Sequence, residues 1–199
     1  MSELNIPKRV LVLLGSPRKK GNSTTIADHI VKGAEEGGAV CEKIFLNDLN
    51  IKSCQACDLC QTEDEFSCSI DDDMQTLYPK IFEADAYIIA TPIYWYNMSS
   101  QTKLFMDRFL QMINMEKVDN GLEPSPFKGK GVVVAIAYAD EDPFVSGCVN
   151  FLRTFQDAFG YAGPEIIEFV YRQADKPGEI LNLPAVLKKA VTAGKKLVA

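Results

Sequence analysis

Short, nearly continuous apolar runs alternate along this chain with longer stretches in which apolar residues recur every three or four positions. A continuous run suits a strand buried on both faces, and the three-to-four recurrence suits an amphipathic helix. Arg9 to Leu14 predicts a first strand, ended at Gly15. Ile26, Ile30, Val31 and Ala34 share one face of a helix from about Ser23 to Glu36, with Gly37 and Gly38 at its end. Val40 to Leu46 reads as a second strand, and a loop follows it. Asp71, Asp72 and Asp73 open a helix to about Glu83, their charges suiting its N-terminal dipole. Ala86 to Thr91 is a third strand, stopped by Pro92, and a helix runs from about Ser99 to Met115. Residues 116–130 read as a polar surface loop bearing Pro and Gly. Gly131 to Ala137 is a fourth strand, a helix runs from about Pro143 to Phe159, and Gly163 to Tyr171 is a fifth strand. Leu183 to Val198 is the final helix.

Strands separated by helices predict an α/β fold, a parallel sheet with helices on both faces. Ligands of such sheets sit at the carboxyl ends of the strands, near the point where the strand order reverses. With 199 residues the chain is read as one domain, residues 1–199, carrying a cysteine-rich loop insertion at about 50–70. An apolar content of 47% is enough for a packed core. The net charge of −6 argues against a nucleic-acid partner and against an anionic membrane surface. No apolar run approaches a membrane span, and the first residues show no signal-peptide core, so the expectation is a cytoplasmic protein. The single His29 reads as a helix-surface residue.

The segment after strand one, Gly15-Ser-Pro-Arg-Lys-Lys-Gly-Asn-Ser-Thr-Thr25, is rich in hydroxyls and amides and ends at a helix N-terminus. Free backbone N–H groups and the helix dipole make such a place attractive to phosphate. Ser16, Asn22, Ser23, Thr24 and Thr25 offer side-chain donors, and Arg18 offers a charge. An ordinary strand–helix turn capped by Ser23 needs one such residue, whereas four consecutive polar residues and an arginine stand here. The segment has neither the P-loop pattern nor the G-x-G-x-x-G fingerprint.

After strand three, Pro92-Ile-Tyr-Trp-Tyr-Asn97 sets three aromatics beside a proline at a strand end. Neighbouring side chains diverge, so three consecutive aromatics cannot all face one core. A flat heteroaromatic ring could stack there while backbone groups bond its edge.

Between these segments lie Cys54, Cys57, Cys60 and Cys68, spaced C-x2-C-x2-C-x7-C. Four thiolates hold either zinc or an iron–sulfur cluster. The short gaps match a ferredoxin-type run better than two separated C-x2-C pairs. Free thiols, or labile redox disulfides, are the other readings. Cys41 and Cys148 read as small buried residues.

Gly15-Ser-Pro-Arg-(x)2-Gly-Asn-Ser-Thr, followed by Thr91-Pro-Ile-Tyr-Trp-Tyr-Asn-(x)5-Lys-(x)3-Asp-Arg108, resembles the NADPH-dependent FMN reductase family of the flavodoxin-like fold. With the cysteine run included, the chain is similar to the iron–sulfur flavoproteins within it. The resemblance covers about residues 8 to 170. It implies a flavodoxin-like three-layer αβα sandwich on a five-stranded parallel sheet of order 2-1-3-4-5, holding FMN. Ser16, Arg18, Asn22, Ser23 and Thr24 would hold the FMN phosphate. Pro92, Ile93, Tyr94, Trp95, Tyr96 and Asn97 would line the isoalloxazine, with Tyr138 and Asp140 bordering its other side. Family members often carry small residues after strand four, whereas this chain has Tyr138 and the acids Asp140, Glu141 and Asp142, so Asp140 either bonds the flavin or faces water. The resemblance also implies a [4Fe–4S] cluster on Cys54, Cys57, Cys60 and Cys68.

The leading expectation is an FMN-binding redox protein that moves electrons between FMN and an iron–sulfur cluster or an external carrier such as ferredoxin. The alternatives are a cluster-free NAD(P)H-dependent reductase of flavin, quinones or nitro compounds, and a non-enzymatic flavin or metal sensor. No separate catalytic acid or base is assigned, since the flavin carries the chemistry. The acids Glu63 to Glu65 and Asp71 to Asp73 read as solvated surface rather than a docking face. Family members imply a homodimer or homotetramer.

Overall fold

The computed structural model describes residues 6–61, 68–113, 120–121 and 125–199. Its strands are β1 (Arg9–Leu14), β2 (Val40–Phe45), β3 (Ala86–Tyr94), β4 (Asn97–Met98), β5 (Gly131–Tyr138) and β6 (Glu165–Gln173). Its helices are α1 (Asn22–Glu36), α2 (Met74–Glu83), α3 (Ser100–Asp107), α4 (Cys148–Ala162) and α5 (Pro184–Val198). The sheet runs β2-β1-β3-β5-β6, all parallel, which is the expected 2-1-3-4-5 path. One correction concerns the strand count. A short β4 pairs antiparallel with the end of β3, so the sheet has six strands rather than five.

Alternation along the strands divides the interior into two layers. Val10, Val12 and Leu14 of β1, with Val133 and Ala135 of β5, face α1 and α5. Leu11 and Leu13, with Val132, Val134 and Ile136, face α2, α3 and α4. That second layer is aromatic: Phe105, Phe127, Phe151, Phe155 and Phe159 are fully buried. Phe109 meets Phe127 at 4.8 Å between ring centroids. Among the described residues no helix is long and apolar enough to cross a membrane.

Helix boundaries moved where a tertiary contact outweighs local preference. α3 ends at Asp107 and continues as a tighter 3-10 turn, Phe109–Met112, short of the expected Met115. Arg108 at its C-cap turns inward to an ion pair with Asp72 instead of prolonging the helix. Residues 114 and 115, Glu63 to Glu65, and residues 116–119 and 122–124 of the expected loop lie outside the described residues. α4 starts at Cys148 rather than Pro143, because Gly147 adopts φ +81 immediately before it. The acids Asp71 to Asp73 precede α2 but do not serve its dipole alone. Asp72 accepts from the Lys52 and Met74 amides at 2.9 and 3.0 Å, and Asp73 accepts from the Asn50 amide at 2.6 Å.

α1 and α5 touch backbone to backbone through two glycines. A Cβ at Gly194 would stand 1.9 Å from the Ile30 carbonyl oxygen, and one at Gly33 would stand 2.0 Å from that of Val191. Gly194→Ala is therefore expected to push the helices apart and cost about 1–3 kcal/mol. Gly160→Ala, in open space on α4, should instead stabilise by up to about 1 kcal/mol. Urea unfolding midpoints of the two variants should shift in opposite directions.

Candidate functional site

The carboxyl edge of the sheet is organised by the turn after β1. The Gly15 amide donates to the Ala90 carbonyl at 2.8 Å, tying the loop to β3. Ser16 Oγ accepts from the Arg18 amide at 3.1 Å, and the Gly21 amide donates to the Arg18 carbonyl at 2.9 Å. The residue that caps α1 is Gly21, which brings no side chain to the helix end. Ser23 lies one residue inside the helix, only 1% exposed, and its Oγ has no hydrogen-bond partner. A buried, unpaired hydroxyl beside uncapped N–H groups is costly unless a ligand completes it.

Asn22 is spent differently. Its Nδ2 donates to the carbonyls of Ala174 and Lys176 at 3.1 and 2.9 Å. Its Oδ1 accepts from the amides of Gly178 and Ile180 at 3.0 and 3.3 Å. The side chain expected to face a phosphate therefore anchors the loop after β6, leaving the Asn22 backbone amide for the helix N-terminus. Thr24 is buried with its Oγ1 3.5 Å from the Arg18 carbonyl, and Arg18 itself is exposed.

The segment after β3 is a hairpin. Tyr94 pairs with Asn97, and the two residues between them, Trp95 and Tyr96, have φ +50 and +65. Positive φ at both central positions is the pattern of a type I′ turn, which ordinarily takes Asn-Gly. Bulky residues there are strained by roughly 1–2 kcal/mol each. Gly147 buttresses the turn so closely that a Cβ on it would meet the Tyr96 Cα and carbonyl oxygen at 2.5 Å. Trp95 is 93% exposed and Tyr96 59%. Asn97 is also exposed, and its Oδ1 accepts from the Met98 amide at 2.8 Å.

A knot of buried hydroxyls joins the two loops. Ser99 Oγ donates to the Gly15 carbonyl at 2.6 Å and accepts from the Thr102 amide at 3.3 Å. The Ser99 amide donates to Thr91 Oγ1 at 3.1 Å.

Between the loops is a cavity of about 230 Å³, lined by Ser16, Arg18, Asn22, Ser23, Pro92, Ile93, Tyr94 and Tyr138. Those eight residues were expected from sequence. Thr24, Trp95, Tyr96, Asn97 and Asp140 do not line it, and Asp140 is exposed. Gly21, Ala137, Ala139, Ala174 and Asp175 line it without having been singled out. Ala174 and Asp175 follow β6, and no polar or aromatic motif marks that strand end. Burial pushes the Tyr138 phenol above its ordinary range.

A second cavity, of about 120 Å³, is lined by all four clustered cysteines, Cys54, Cys57, Cys60 and Cys68, and by Arg108. Ala56 and Asp58, which separate them, take φ +49 and +55, and these left-handed turns curl the loop. The Ala56 amide donates to Cys54 Sγ at 3.4 Å. The Leu59 amide and the Ser69 hydroxyl hold the Cys57 thiol below its ordinary range, whereas burial raises that of Cys60. Among the described residues no group of three or more His, Cys, Asp or Glu side chains is drawn onto a single point as one metal ion requires. The four sulfurs instead border a common space. Cys148 is buried and Cys41 half-buried, and burial pushes each thiol up to about 11, as small packing residues should show. His29 Nδ1 sits 2.9 Å from the Thr25 carbonyl, along its own helix.

Residues 8–142 match the model of the NADPH-dependent FMN reductase family. An iron–sulfur flavoprotein of Archaeoglobus fulgidus is 35% identical over 140 residues, which cover 69% of this chain and 59% of that protein. The chain thus spans less than two thirds of that relative. A putative NAD(P)H-dependent FMN-containing oxidoreductase of Bacillus subtilis is 27% identical over 174 residues, 87% of this chain and 90% of the other. The structure of an NAD(P)H:quinone oxidoreductase from Methanothermobacter marburgensis superposes with a TM-score of 0.72 over 98% of both chains, at 18% identity, a likeness of fold.

If the Trp95–Tyr96 turn stores strain, replacing the pair by Asn-Gly should stabilise the ligand-free protein by about 1 kcal/mol or more. Urea unfolding of the double variant checks this; an unchanged or lower midpoint would show that the aromatic pair is held without strain.

Proposed function

The chain belongs to the NADPH-dependent FMN reductases, a family of FMN-dependent oxidoreductases, and from that membership we propose that it is a single-domain flavin redox protein whose cysteine cavity carries a [4Fe–4S] cluster. One observation carries the flavin reading: the unpaired, buried Ser23 Oγ at an uncapped helix N-terminus, in the cavity that the hairpin after β3 also lines. A phosphate supplies the acceptor that this hydroxyl and the first amides of α1 lack.

In this reading Ser16, Arg18, Ser23, Thr24 and the backbone of Asn22 hold the FMN phosphate. Pro92 to Asn97 carry the isoalloxazine along the hairpin, with Tyr138 on the opposite wall. Asp140 faces solvent, which favours water over the flavin as its partner. When bound, FMN supplies one- or two-electron chemistry and accepts hydride from a nicotinamide. The protein's share is position and electrostatics. The positive end of α1 would neutralise the phosphate, and Pro92, which has no N–H, offers the sheet no donor at its own position, while β3 continues past it to Tyr94. The buried walls formed by Ala137 and Tyr138 exclude water from one side.

The four cysteines supply the all-sulfur donor set that an iron–sulfur cluster takes. They surround a space instead of a point, and two buried donors beside them, Arg108 Nε and Tyr78 Oη, have no hydrogen-bond acceptor. A cluster would let the protein exchange single electrons with a carrier such as ferredoxin, while NAD(P)H would deliver electrons in pairs. The same reading places the protein in the cytoplasm as a homodimer or homotetramer. The exposed apolar residues Trp95, Tyr96, Phe144 and Val145 support self-association.

Two measurements test this. Ser23→Ala should weaken FMN binding about tenfold or more, as loss of a hydrogen bond to a charged group does, and leave riboflavin, which has no phosphate, unaffected. Equal loss for both flavins would overturn the phosphate site. Cys57→Ser, purified without oxygen, should lose iron and acid-labile sulfide while keeping flavin; unchanged iron would remove Cys57 from the ligand set.

A further inference from the structure

Arg108 and Asp72 form the ion pair with both side chains excluded from solvent, at 1% and 0% exposure. Arg108 Nη1 donates to Asp72 Oδ2 at 2.5 Å and to the Lys52 carbonyl at 3.0 Å. Nη2 donates to Asp72 Oδ1 and, also at 3.3 Å, to the sulfur of Cys68. Asp72 is itself fixed by the amides of Lys52 and Met74. Tyr78 Oη lies against both the guanidinium and the Cys68 sulfur, without hydrogen-bond geometry to either.

A structural clamp needs only the carboxylate and the carbonyl. The Arg108 fork goes further, because one arm ends on a thiol sulfur at the wall of the cysteine cavity. A neutral thiol is a weak acceptor, so this arm gains little from a protonated cysteine and much from a sulfur carrying negative charge. The order of groups also matters. Cys68 faces the positive end of the Arg108–Asp72 pair, and the carboxylate sits behind it.

We infer that Arg108, oriented by Asp72, is the positioning residue that sets the redox potential of the cysteine site, through its N–H···S bond to Cys68. The inference rests on the reading that the cavity holds a cluster. Adding an electron to a cluster adds negative charge to its sulfurs. A buried cation bonded to one ligand sulfur stabilises that form and raises the potential. The nearby acid Asp58 lines the same cavity, and Asp107 lines it from the end of α3. Both oppose the arginine, which is the one cationic side chain among the described residues lining this cavity.

The test is a redox titration of anaerobically reconstituted protein, followed by the cluster's EPR and visible signals. Arg108→Lys keeps the charge but cannot hold carboxylate, carbonyl and sulfur together; its midpoint potential should fall. Asp72→Asn is close to isosteric and removes the counter-charge behind the guanidinium; its midpoint should rise. Shifts of opposite sign support the inference, since a clamp that merely keeps the loop folded predicts loss of cluster from both variants or no shift in either. Unchanged potentials in loaded variants, or shifts of the same sign, overturn it. Loss of iron from both variants, with wild-type protein loaded, assigns the pair to the clamp alone and also overturns it. Wild-type protein that takes up neither iron nor sulfide overturns the cluster reading itself, and that result is distinguishable because it appears before any variant is made.

Discussion

The close approach of α3 to the turn after β1 governs the whole carboxyl edge. Gly15 has no side chain, and Thr102 Oγ1 fills the place where its Cβ would stand, 1.9 Å away. That contact brings Ser99 within reach of the Gly15 carbonyl, which is buried and would otherwise lack a hydrogen-bond donor at a cost of about 1–3 kcal/mol. Ser99 also caps α3, and its amide donates to Thr91 Oγ1 within β3. One serine therefore fixes the turn after β1, the aromatic hairpin and the start of a helix relative to one another. This joint holds the two loops so that residues of both line one cavity.

The other end of α3 carries a second kind of constraint. Arg108 leaves the helix at its C-cap and buries its charge against Asp72, pulling in Lys52 and Cys68 from the cysteine loop. Buried ion pairs contribute little net stability after desolvation, so this one is better understood by the geometry it imposes. α3 thus runs from the hydroxyl knot at the carboxyl edge to the cysteine cavity. Eight residues at a rise of about 1.5 Å each make it a short strut. The two cavities are parts of one construction, and a change in the packing of α3 would be felt in both.

Strain and incompleteness cluster at the same edge. Trp95 and Tyr96 occupy conformations that favour Asn or Gly, Ser23 has a buried hydroxyl without a partner, and Ala56 and Asp58 curl the cysteine loop through positive φ. Departures of this sort concentrate where a protein binds something, because the ligand supplies what the chain alone lacks.

The α/β class and the parallel sheet were legible in the chain alone, because continuous apolar strands and amphipathic helices of sufficient length declare themselves by periodicity, whereas the strand order was implied only by the family resemblance. The loop at 15–25, the Pro92–Asn97 segment and the cysteine spacing were legible for the same reason: each packs its chemistry into a few consecutive residues. β4 was not, since a two-residue strand has no period and its turn uses residues that disfavour the required φ. Asn22 looked like a phosphate donor but anchors the loop after β6, more than 150 residues onward; no local signal announces such a partner. The role of Asp72, read as helix-dipole charge, was decided by Arg108 arriving from another helix. Sequence alone determined which elements form and which residue types gather at their ends, because those depend on neighbours along the chain. Only the tertiary structure decided which polar groups are left free and which are spent, because that depends on burial and on partners brought from far away in the sequence.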